Sequence, residues 1–335
     1  MKKNFTIMLC ISLFALSILS GCNRNNNNSH LGSTSNFAAE NINIKIGNAP
    51  YQLDGILCLP NGMKSPPVVI LVQGSGQSDY NETISVNKPF QDIADGLAKQ
   101  GIATIRYNKR YYQYPQTAPA NITIEDEVLN DVSLAINFTK ENESTKKSKI
   151  YVLGHSLGGM LSPYIAKTNT DVVGIISMAG TTRRLEDVIL DQNIAAVETM
   201  SNKTDAEKKE LIATVQADVD KVEALKDGDP SVTLFGVPSS YWLSLNKIDT
   251  SKISKSLTIP MLILQGKADF QVSPDIDYKA WQDMLSGKSN VTFKLYDNLN
   301  HLFIQTNGKK DTTEYSIKGT VDKQVLTDIT TWINK

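Results

Sequence analysis

Residues that bind metals and form disulfide bonds are scarce in this sequence, which has three cysteines and three histidines among 335 residues. They form no cluster with metal-ligand spacing, so we predict no metal site, and no cofactor is expected. Neither sign of charge is in excess, with 34 basic and 35 acidic residues. This balance lacks the positive charge that binds phosphate backbones, so we expect no nucleic-acid partner.

The N-terminus has the pattern of a bacterial export signal. A basic start precedes a mostly apolar run over residues 7–19, which is too short to span a membrane as a helix. The run leads to Leu-Ser-Gly-Cys at residues 19–22, which resembles the lipobox of bacterial lipoproteins. The resemblance implies a signal peptide over residues 1–21 and a lipid on Cys22. The alternatives are an uncleaved anchor and an ordinary secretory signal.

The lipid on Cys22 would hold the protein at a membrane surface of the bacterial cell envelope, facing outside the cytoplasm. Residues 22–40 are rich in asparagine and serine and have little to bury, so they are predicted to form a flexible tether. The folded domain would then cover residues 41–335. Cys10 would leave with the signal peptide, and Cys58, without a disulfide partner, is expected to be buried in a strand.

The most specific motif is Gly-x-Ser-x-Gly at residues 154–158, which follows an apolar run and precedes a segment compatible with a helix. Between a strand and a helix, this motif is the pattern of a nucleophile elbow. The turn is so tight that Gly154 and Gly158 leave no room for side chains, and the serine between them is held in a strained conformation. Ser156 is therefore the predicted nucleophile. The competing interpretation is a glycine-rich turn at a sheet edge.

A serine nucleophile needs an adjacent base, and the three histidines are the candidates. His30 lies in a polar N-terminal stretch, and the side chain of His155 is expected to point away from that of Ser156. Elimination assigns the role to His301, which follows an alternating segment typical of a strand over residues 291–295. The alternative is a loop histidine near the end of a sheet.

The third member of a triad is expected between the nucleophile and the base along the chain. Asp269 follows an apolar segment typical of a buried strand, so it would lie at the carboxyl edge of the sheet and orient the imidazole. The competitors are Asp275, Asp277 and Asp297. The first two are expected to begin a helix, and the third could shape its own loop.

An oxyanion hole needs two N–H donors. One is predicted to be the backbone N–H of Leu157, directly after the nucleophile. The other is expected in the glycine-containing loop over residues 73–76, which follows a predicted central strand. We favour the N–H of Ser75, with Gly74 as the alternative, and a plain glycine turn is the competing interpretation.

Together these motifs resemble the α/β-hydrolases, within the group that includes serine esterases, acyl thioesterases and prolyl-oligopeptidase-like enzymes. The resemblance covers about residues 42–335 and rests on residues 154–159, residues 265–272 and the Asn-His-Leu-Phe segment that contains His301. It implies an α/β fold with a mostly parallel central sheet and helices on both faces. Gln73 departs from the His-Gly pair that commonly begins the oxyanion loop.

The remaining periodicity fits that fold, because segments with the pattern of strands alternate with segments with the pattern of helices. The first two strands are expected to form an antiparallel pair. Strands are predicted over residues 42–46, 53–59, 68–72, 102–106, 171–178 and 259–264, and helices over 90–99, 123–139 and 325–333. Residues 181–256 are predicted to be a helical insertion that covers the site as a lid, with Tyr241 and Trp242 as candidates to line an acyl pocket.

The predicted function is a serine hydrolase that cleaves a small-molecule carboxylic ester through an acyl-enzyme. A serine peptidase and an acyl thioesterase are the alternatives with the same chemistry, because pocket shape rather than the triad selects the leaving group. A surface-binding lipoprotein without catalytic activity is the alternative from a different class. The full set of serine, histidine and aspartate argues against it.

Overall fold

The computed structural model describes residues 37–335. The predictions for the signal peptide, for Cys22, for His30 and for the tether as far as residue 36 lie outside the described residues. No helix within residues 37–335 is long and apolar enough to cross a membrane.

The centre of the structure is an eight-stranded sheet with the strand order β1-β2-β4-β3-β5-β6-β9-β10. The predicted antiparallel opening pair is confirmed, since β1 pairs antiparallel with β2, which in turn pairs antiparallel with β4. The pairs from β4 to β10 are all parallel. The strands are β1 Ala39–Ile46, β2 Leu53–Pro60, β3 Val68–Val72, β4 Ala103–Tyr107, β5 Ile150–His155, β6 Val172–Met178, β9 Met261–Gly266 and β10 Val291–Tyr296, with a small separate hairpin of β7 Thr233–Leu234 and β8 Val237–Pro238.

Helices cover both faces of the sheet, which explains why its inner strands are continuous apolar runs. The helices are α1 Pro89–Ala98, α2 Arg110–Gln113, α3 Asn130–Glu141, α4 Leu157–Thr168, α5 Leu185–Glu198, α6 Asp205–Ala224, α7 Ser239–Leu245, α8 Thr250–Ser256, α9 Lys279–Leu285 and α10 Lys323–Ile333. In β3, Val68, Ile70 and Val72 pack with α3 and α4 on one face, whereas Val69 and Leu71 pack with α1 and α10 on the other.

The helix predicted over residues 123–139 divides into two parts. A π-helical turn over Glu125–Leu129 leads into α3, and the side chain of Thr123 bonds that of Asp126 at its start. In a π-helical turn the chain is wider than in an α-helix, and such turns are frequent at functional sites. The turn matters here because Glu127, within it, reaches the loop that follows β3.

The segment between β6 and β9 contains α5 to α8 and the β7–β8 hairpin. Its long helix α6 begins with a capping box, in which Thr204 and Glu207 satisfy each other's backbone N–H groups. Tyr241 and Trp242 are both buried in the core, and the indole N–H of Trp242 donates to the carbonyl of Leu234. The bond to Leu234 lies within the segment, whereas the burial of both aromatic rings in the main core anchors the segment to the body of the protein.

Candidate active site

Ser156 lies in the turn between β5 and α4 with φ +54° and ψ −116°, a left-handed conformation that non-glycine residues rarely adopt. The neighbouring backbone explains both flanking glycines. A Cβ atom on Gly154 would lie 2.0 Å from the carbonyl oxygen of Gly158, and one on Gly158 would lie 2.3 Å from that of Val72. Only glycine fits at either position, so the turn has the strained geometry expected of a nucleophile elbow.

Asp269 and His301 come together at the carboxyl edge of the sheet. Asp269 follows β9 and His301 follows β10, and Nδ1 of His301 lies 2.8 Å from Oδ2 of Asp269. Both side chains are buried. Because a carboxylate accepts, Nδ1 carries the proton, and Nε2 is left free to act as a base.

The Asp269 carboxylate is held by further donors besides the imidazole. Its Oδ1 accepts from the backbone N–H groups of Gln271, at 2.8 Å, and Val272, at 3.0 Å, and its Oδ2 accepts from the side-chain amide of Gln265, at 2.8 Å. Four donors fix the orientation of one carboxylate, and through it the tautomer and orientation of His301.

The competing aspartates are engaged elsewhere. Asp277, in a π-helical turn before α9, accepts from Thr181 at 2.6 Å and from Arg183 at 2.9 Å. Asp275 begins the same turn, and Asp297 pairs with Lys267 at the surface. The geometry therefore favours Asp269 as the residue that orients the base.

The loop after β3 lies directly against the nucleophile, since a Cβ atom on Gly74 would be 3.1 Å from that of Ser156. Ser156 is half-buried, and no hydrogen bond joins its Oγ to Nε2 of His301 within residues 37–335. Hydrogen bonds between catalytic groups are often long in free enzymes and shorten when substrate binds. Proton transfer from Ser156 would thus require these two atoms to come within hydrogen-bond distance.

The backbone N–H groups of the loop distinguish between the two predicted oxyanion donors. That of Gly74 donates to Oε1 of Glu82 at 2.6 Å, and that of Gly76 donates to Oε1 of Glu127 at 2.8 Å. Neither is free to bind a substrate oxygen. Ser75 lies between them, is exposed, and has no partner for its N–H among the described residues. This arrangement favours Ser75 over Gly74 as the donor.

The second predicted donor is Leu157, the first residue of α4. The first N–H groups of a helix have no partner within the helix and form a positive end that attracts negative charge. The N–H of Leu157 therefore suits the role of partner to that of Ser75 in stabilising an oxyanion.

A buried lysine holds in place the predicted oxyanion loop, residues 73–76. The ammonium of Lys109 donates to the carbonyls of Gly74, at 2.5 Å, and Gly76, at 2.8 Å, and pairs with Glu127 at 2.8 Å. Gln73 adds a bond from its side-chain amide to the carbonyl of Tyr107, so the residue that departs from the usual histidine anchors the loop to the end of β4.

No role was predicted from the sequence for Lys109, Glu127 or Glu82. The available signal was the position of Lys109, a charged residue two places after a buried strand at the same sheet edge as the oxyanion loop. No comparable signal marks the two glutamates, because their contacts depend on how separate loops fold against each other.

Within residues 37–335, no group of three histidine, cysteine or acidic side chains is arranged to hold a metal ion.

A mostly parallel sheet with a serine elbow after β5, an aspartate after β9 and a histidine after β10 defines the α/β-hydrolase fold. The chain belongs to the family described as serine aminopeptidase, S33, whose model matches residues 81–306. Both the predicted fold class and the predicted superfamily are thereby confirmed.

Among curated proteins, the chain is similar to Esterase EstD of Thermotoga maritima, with 38% identity over 285 residues. The match covers 84% of this chain and 66% of that protein. Among solved structures, Est1E from Butyrivibrio proteoclasticus is similar with a TM-score of 0.53 and 16% identity, over 88% of this chain and 99% of that one. The acylaminoacyl peptidase of Pyrococcus horikoshii has a TM-score of 0.54 and 13% identity, over 89% of this chain and 41% of that one.

The support that Lys109 gives to the loop after β3 can be tested by substitution. Lys109→Met keeps the length of the side chain but removes the donor to two loop carbonyls and leaves Glu127 without its partner. We expect kcat on an ester to fall about 10²-fold, since loss of an oxyanion donor costs roughly 10² to 10³. Steady-state kinetics, with active sites counted by a fluorophosphonate label, measures the effect.

Lys140→Met is the matched control, because Lys140 forms an exposed pair with Asp171, and such pairs contribute little to stability. Wild-type kcat in Lys109→Met would contradict the assigned role of the lysine.

Proposed function

We propose that this protein is a serine hydrolase that cleaves a carboxylic ester of a small molecule through an acyl-enzyme. The observation that carries the proposal is the buried Asp269–His301 pair at the same sheet edge as the strained elbow of Ser156. The 38% identity to Esterase EstD supports an ester as the substrate.

In the proposed mechanism, Ser156 Oγ attacks the ester carbonyl while Nε2 of His301 takes its proton. The N–H groups of Ser75 and Leu157 stabilise the negative charge that develops on the carbonyl oxygen. His301 then protonates the leaving alcohol, and the acyl group remains on Ser156. A water molecule, activated by His301, releases the acid in the second half of the reaction, while Asp269 stabilises the imidazolium in both steps.

An aminopeptidase is the second candidate, because the description of the family names that activity. Such an enzyme must bind the free ammonium group of its substrate, most readily with a carboxylate. The two acids that contact the oxyanion loop, Glu82 and Glu127, already pair with His155 and Lys109. This pairing favours an uncharged acyl group over an aminoacyl group. An acyl thioesterase shares the same chemistry, and pocket shape distinguishes it.

We further propose that residues 181–256 act as a lid. The segment follows β6, which is the neighbour of β5 in the sheet, so it begins beside the elbow. Helices α5 and α6 pack against each other in this segment. A cover of this kind would exclude water from the acyl-enzyme.

The function is tested by Ser156→Ala. We expect this variant to lose fluorophosphonate labelling and to hydrolyse p-nitrophenyl esters with kcat lowered roughly 10⁴- to 10⁶-fold, because it removes the nucleophile. Its thermal stability should stay close to that of the wild type, since the side chain is small and half-buried. A set of p-nitrophenyl esters of different chain lengths, assayed beside aminoacyl and peptidyl anilides and acyl thioesters, identifies the leaving group.

Two results would overturn the proposal. Retention of more than a tenth of the wild-type activity would remove Ser156 from its role. Faster turnover of anilides than of esters by the wild type would make the protein a peptidase.

We also propose that the protein is a lipoprotein, anchored through Cys22 at a membrane of the bacterial cell envelope and facing outside the cytoplasm. The Leu-Ser-Gly-Cys ending of the apolar run supports this location. The described domain begins with β1 at Ala39, so a short tether would separate it from the lipid.

Cys22→Ser should block lipid attachment and move the protein out of the membrane fraction or leave it unprocessed. Stable anchoring needs two acyl chains or more, because one chain binds a membrane with only about 10⁴ M⁻¹. Fractionation of cells and mass spectrometry of the mature N-terminus measure the outcome, with Cys58→Ser as the matched control. An unmodified N-terminal peptide that begins at another residue would contradict the proposal.

A further inference from the structure

A buried carboxylate and a buried imidazole connect the two sides of the active site without belonging to the triad. Oε1 of Glu82 accepts from the N–H of Gly74 in the oxyanion loop at 2.6 Å, and its Oε2 lies 3.0 Å from Nδ1 of His155. On the far side of the ring, Nε2 of His155 is 2.9 Å from the carbonyl oxygen of His301. These contacts form a chain from the oxyanion loop, through the elbow, to the loop that bears the base.

The partners of His155 determine how many protons its ring carries. A carbonyl oxygen only accepts, so Nε2 must donate to His301. The other nitrogen faces a carboxylate oxygen at 3.0 Å, in an ion-pair contact too bent to count as a hydrogen bond. A bare nitrogen lone pair would be repelled by that oxygen. The contacts therefore favour a ring with a proton on both nitrogens, an imidazolium paired with Glu82.

The backbone of Glu82 has a strained conformation. Its φ is +50°, in the left-handed region. Asp79 stabilises this turn, because its carboxylate accepts from the N–H groups of Asn81, at 3.1 Å, and Thr83, at 2.8 Å. Strained residues persist where their surroundings over-determine them, and they cluster at functional sites.

We infer that Glu82 and a cationic His155 are positioning residues. They hold the oxyanion loop and the loop that bears His301 in fixed positions relative to each other, on either side of Ser156. The inference rests on the proposed hydrolase function. Glu82 keeps the N–H of Gly74 turned away from the substrate, which leaves that of Ser75 as the donor. His155 fixes the backbone of His301, while Asp269 fixes its ring.

Because His155 is cationic, the positioning of the two loops depends on pH. Three titratable groups face its ring: Glu82, Asp269 and His301, whose ring centroid is 4.7 Å away. Burial lowers the pKa of His155, but the adjacent Glu82 carboxylate, together with the carbonyl of His301 and the carboxylate of Asp269, raises it, and the net result is a pKa above the ordinary value. The pair therefore keeps its proton below this raised pKa and loses it as the pH rises through that pKa. Activity should decline over the same range.

Two substitutions at Glu82 separate hydrogen bonding from charge. In Glu82→Gln, the amide oxygen can still accept from Gly74, and the amide NH₂ can donate to Nδ1 of a neutral His155. All contacts of the chain survive, so we expect most of kcat to be retained and the decline with rising pH to disappear. In Glu82→Ala, the chain is broken, and we expect kcat per labelled site to fall about 10²-fold with KM changed less than about threefold.

Glu186→Ala is the matched control, since Glu186 is also buried but bonds to Arg184 and Asn246. It should lower thermal stability without altering the pH profile of kcat. Counting active sites with a fluorophosphonate separates a loss of folded protein from a loss of turnover. An effect of Glu82→Ala confined to stability, or an equal loss of kcat in Glu82→Gln and Glu82→Ala, would overturn the inference.

Nitrogen-15 NMR of the histidine rings tests the charge state without any substrate, so it is independent of the proposed activity. The signals of His155 are assigned by their loss in His155→Asn. At a pH equal to the ordinary pKa of histidine, we expect two protonated ring nitrogens in the wild type and one in Glu82→Gln. A wild-type His155 with one bare nitrogen would overturn the inference, whereas failure to hydrolyse any ester would overturn only the proposed function.

Discussion

The site depends on one close backbone approach, that of the first turn of α4 to the end of β3. Gly158 lies so near the carbonyl of Val72 that even a methyl group would not fit between them. This approach brings the loop after β3 against Ser156, which has a positive φ in the same turn. The nucleophile and the oxyanion loop are thus two parts of one packed backbone unit, and neither can be placed without the other.

Around that unit, charged side chains form hydrogen bonds with N–H and carbonyl groups of the loop after β3. Those backbone groups are therefore not available to bind the substrate. Glu82 and Glu127 accept from the N–H groups of Gly74 and Gly76, and Lys109 donates to the carbonyls of the same two residues. Buried ion pairs contribute little to stability on balance, because desolvation offsets their attraction. Their value here lies in geometry, since among residues 74–76 they leave only the N–H of Ser75 without a partner in the described part of the chain.

Much of the fold could be predicted from local pattern. The elbow motif specifies a strand, a turn and a helix within ten residues, and the apolar runs of β3, β5 and β9 indicate strands buried on both faces. The observed ends of elements differ from the predicted ends where a local rule was overlooked. The strand predicted from residue 259 begins at Met261, for example, because Pro260 has no N–H to donate to a ladder.

The contacts that support the site could not be predicted in the same way. Glu82, Lys109 and Glu127 lie on three separate segments. Only Lys109 has a position, just after β4, that suggests the edge of the sheet where residues 74–76 lie, and no local pattern marks the two glutamates. The π-helical turn that directs Glu127 was likewise hidden within a helical pattern. His155 could be eliminated as the base, but its bond to the carbonyl of His301 appears only once β5 and β10 are placed in the same sheet.

The most direct test of this account is a crystal structure of the enzyme after reaction with a dialkyl p-nitrophenyl phosphate, whose phosphoryl oxygen mimics the oxyanion. We predict phosphorus on Oγ of Ser156 and the phosphoryl oxygen within hydrogen-bond distance of the N–H groups of Ser75 and Leu157. The N–H of Gly74 should still donate to Glu82. An adduct on another residue, or an oxyanion bound by the N–H of Gly74 in place of that of Ser75, would contradict the account.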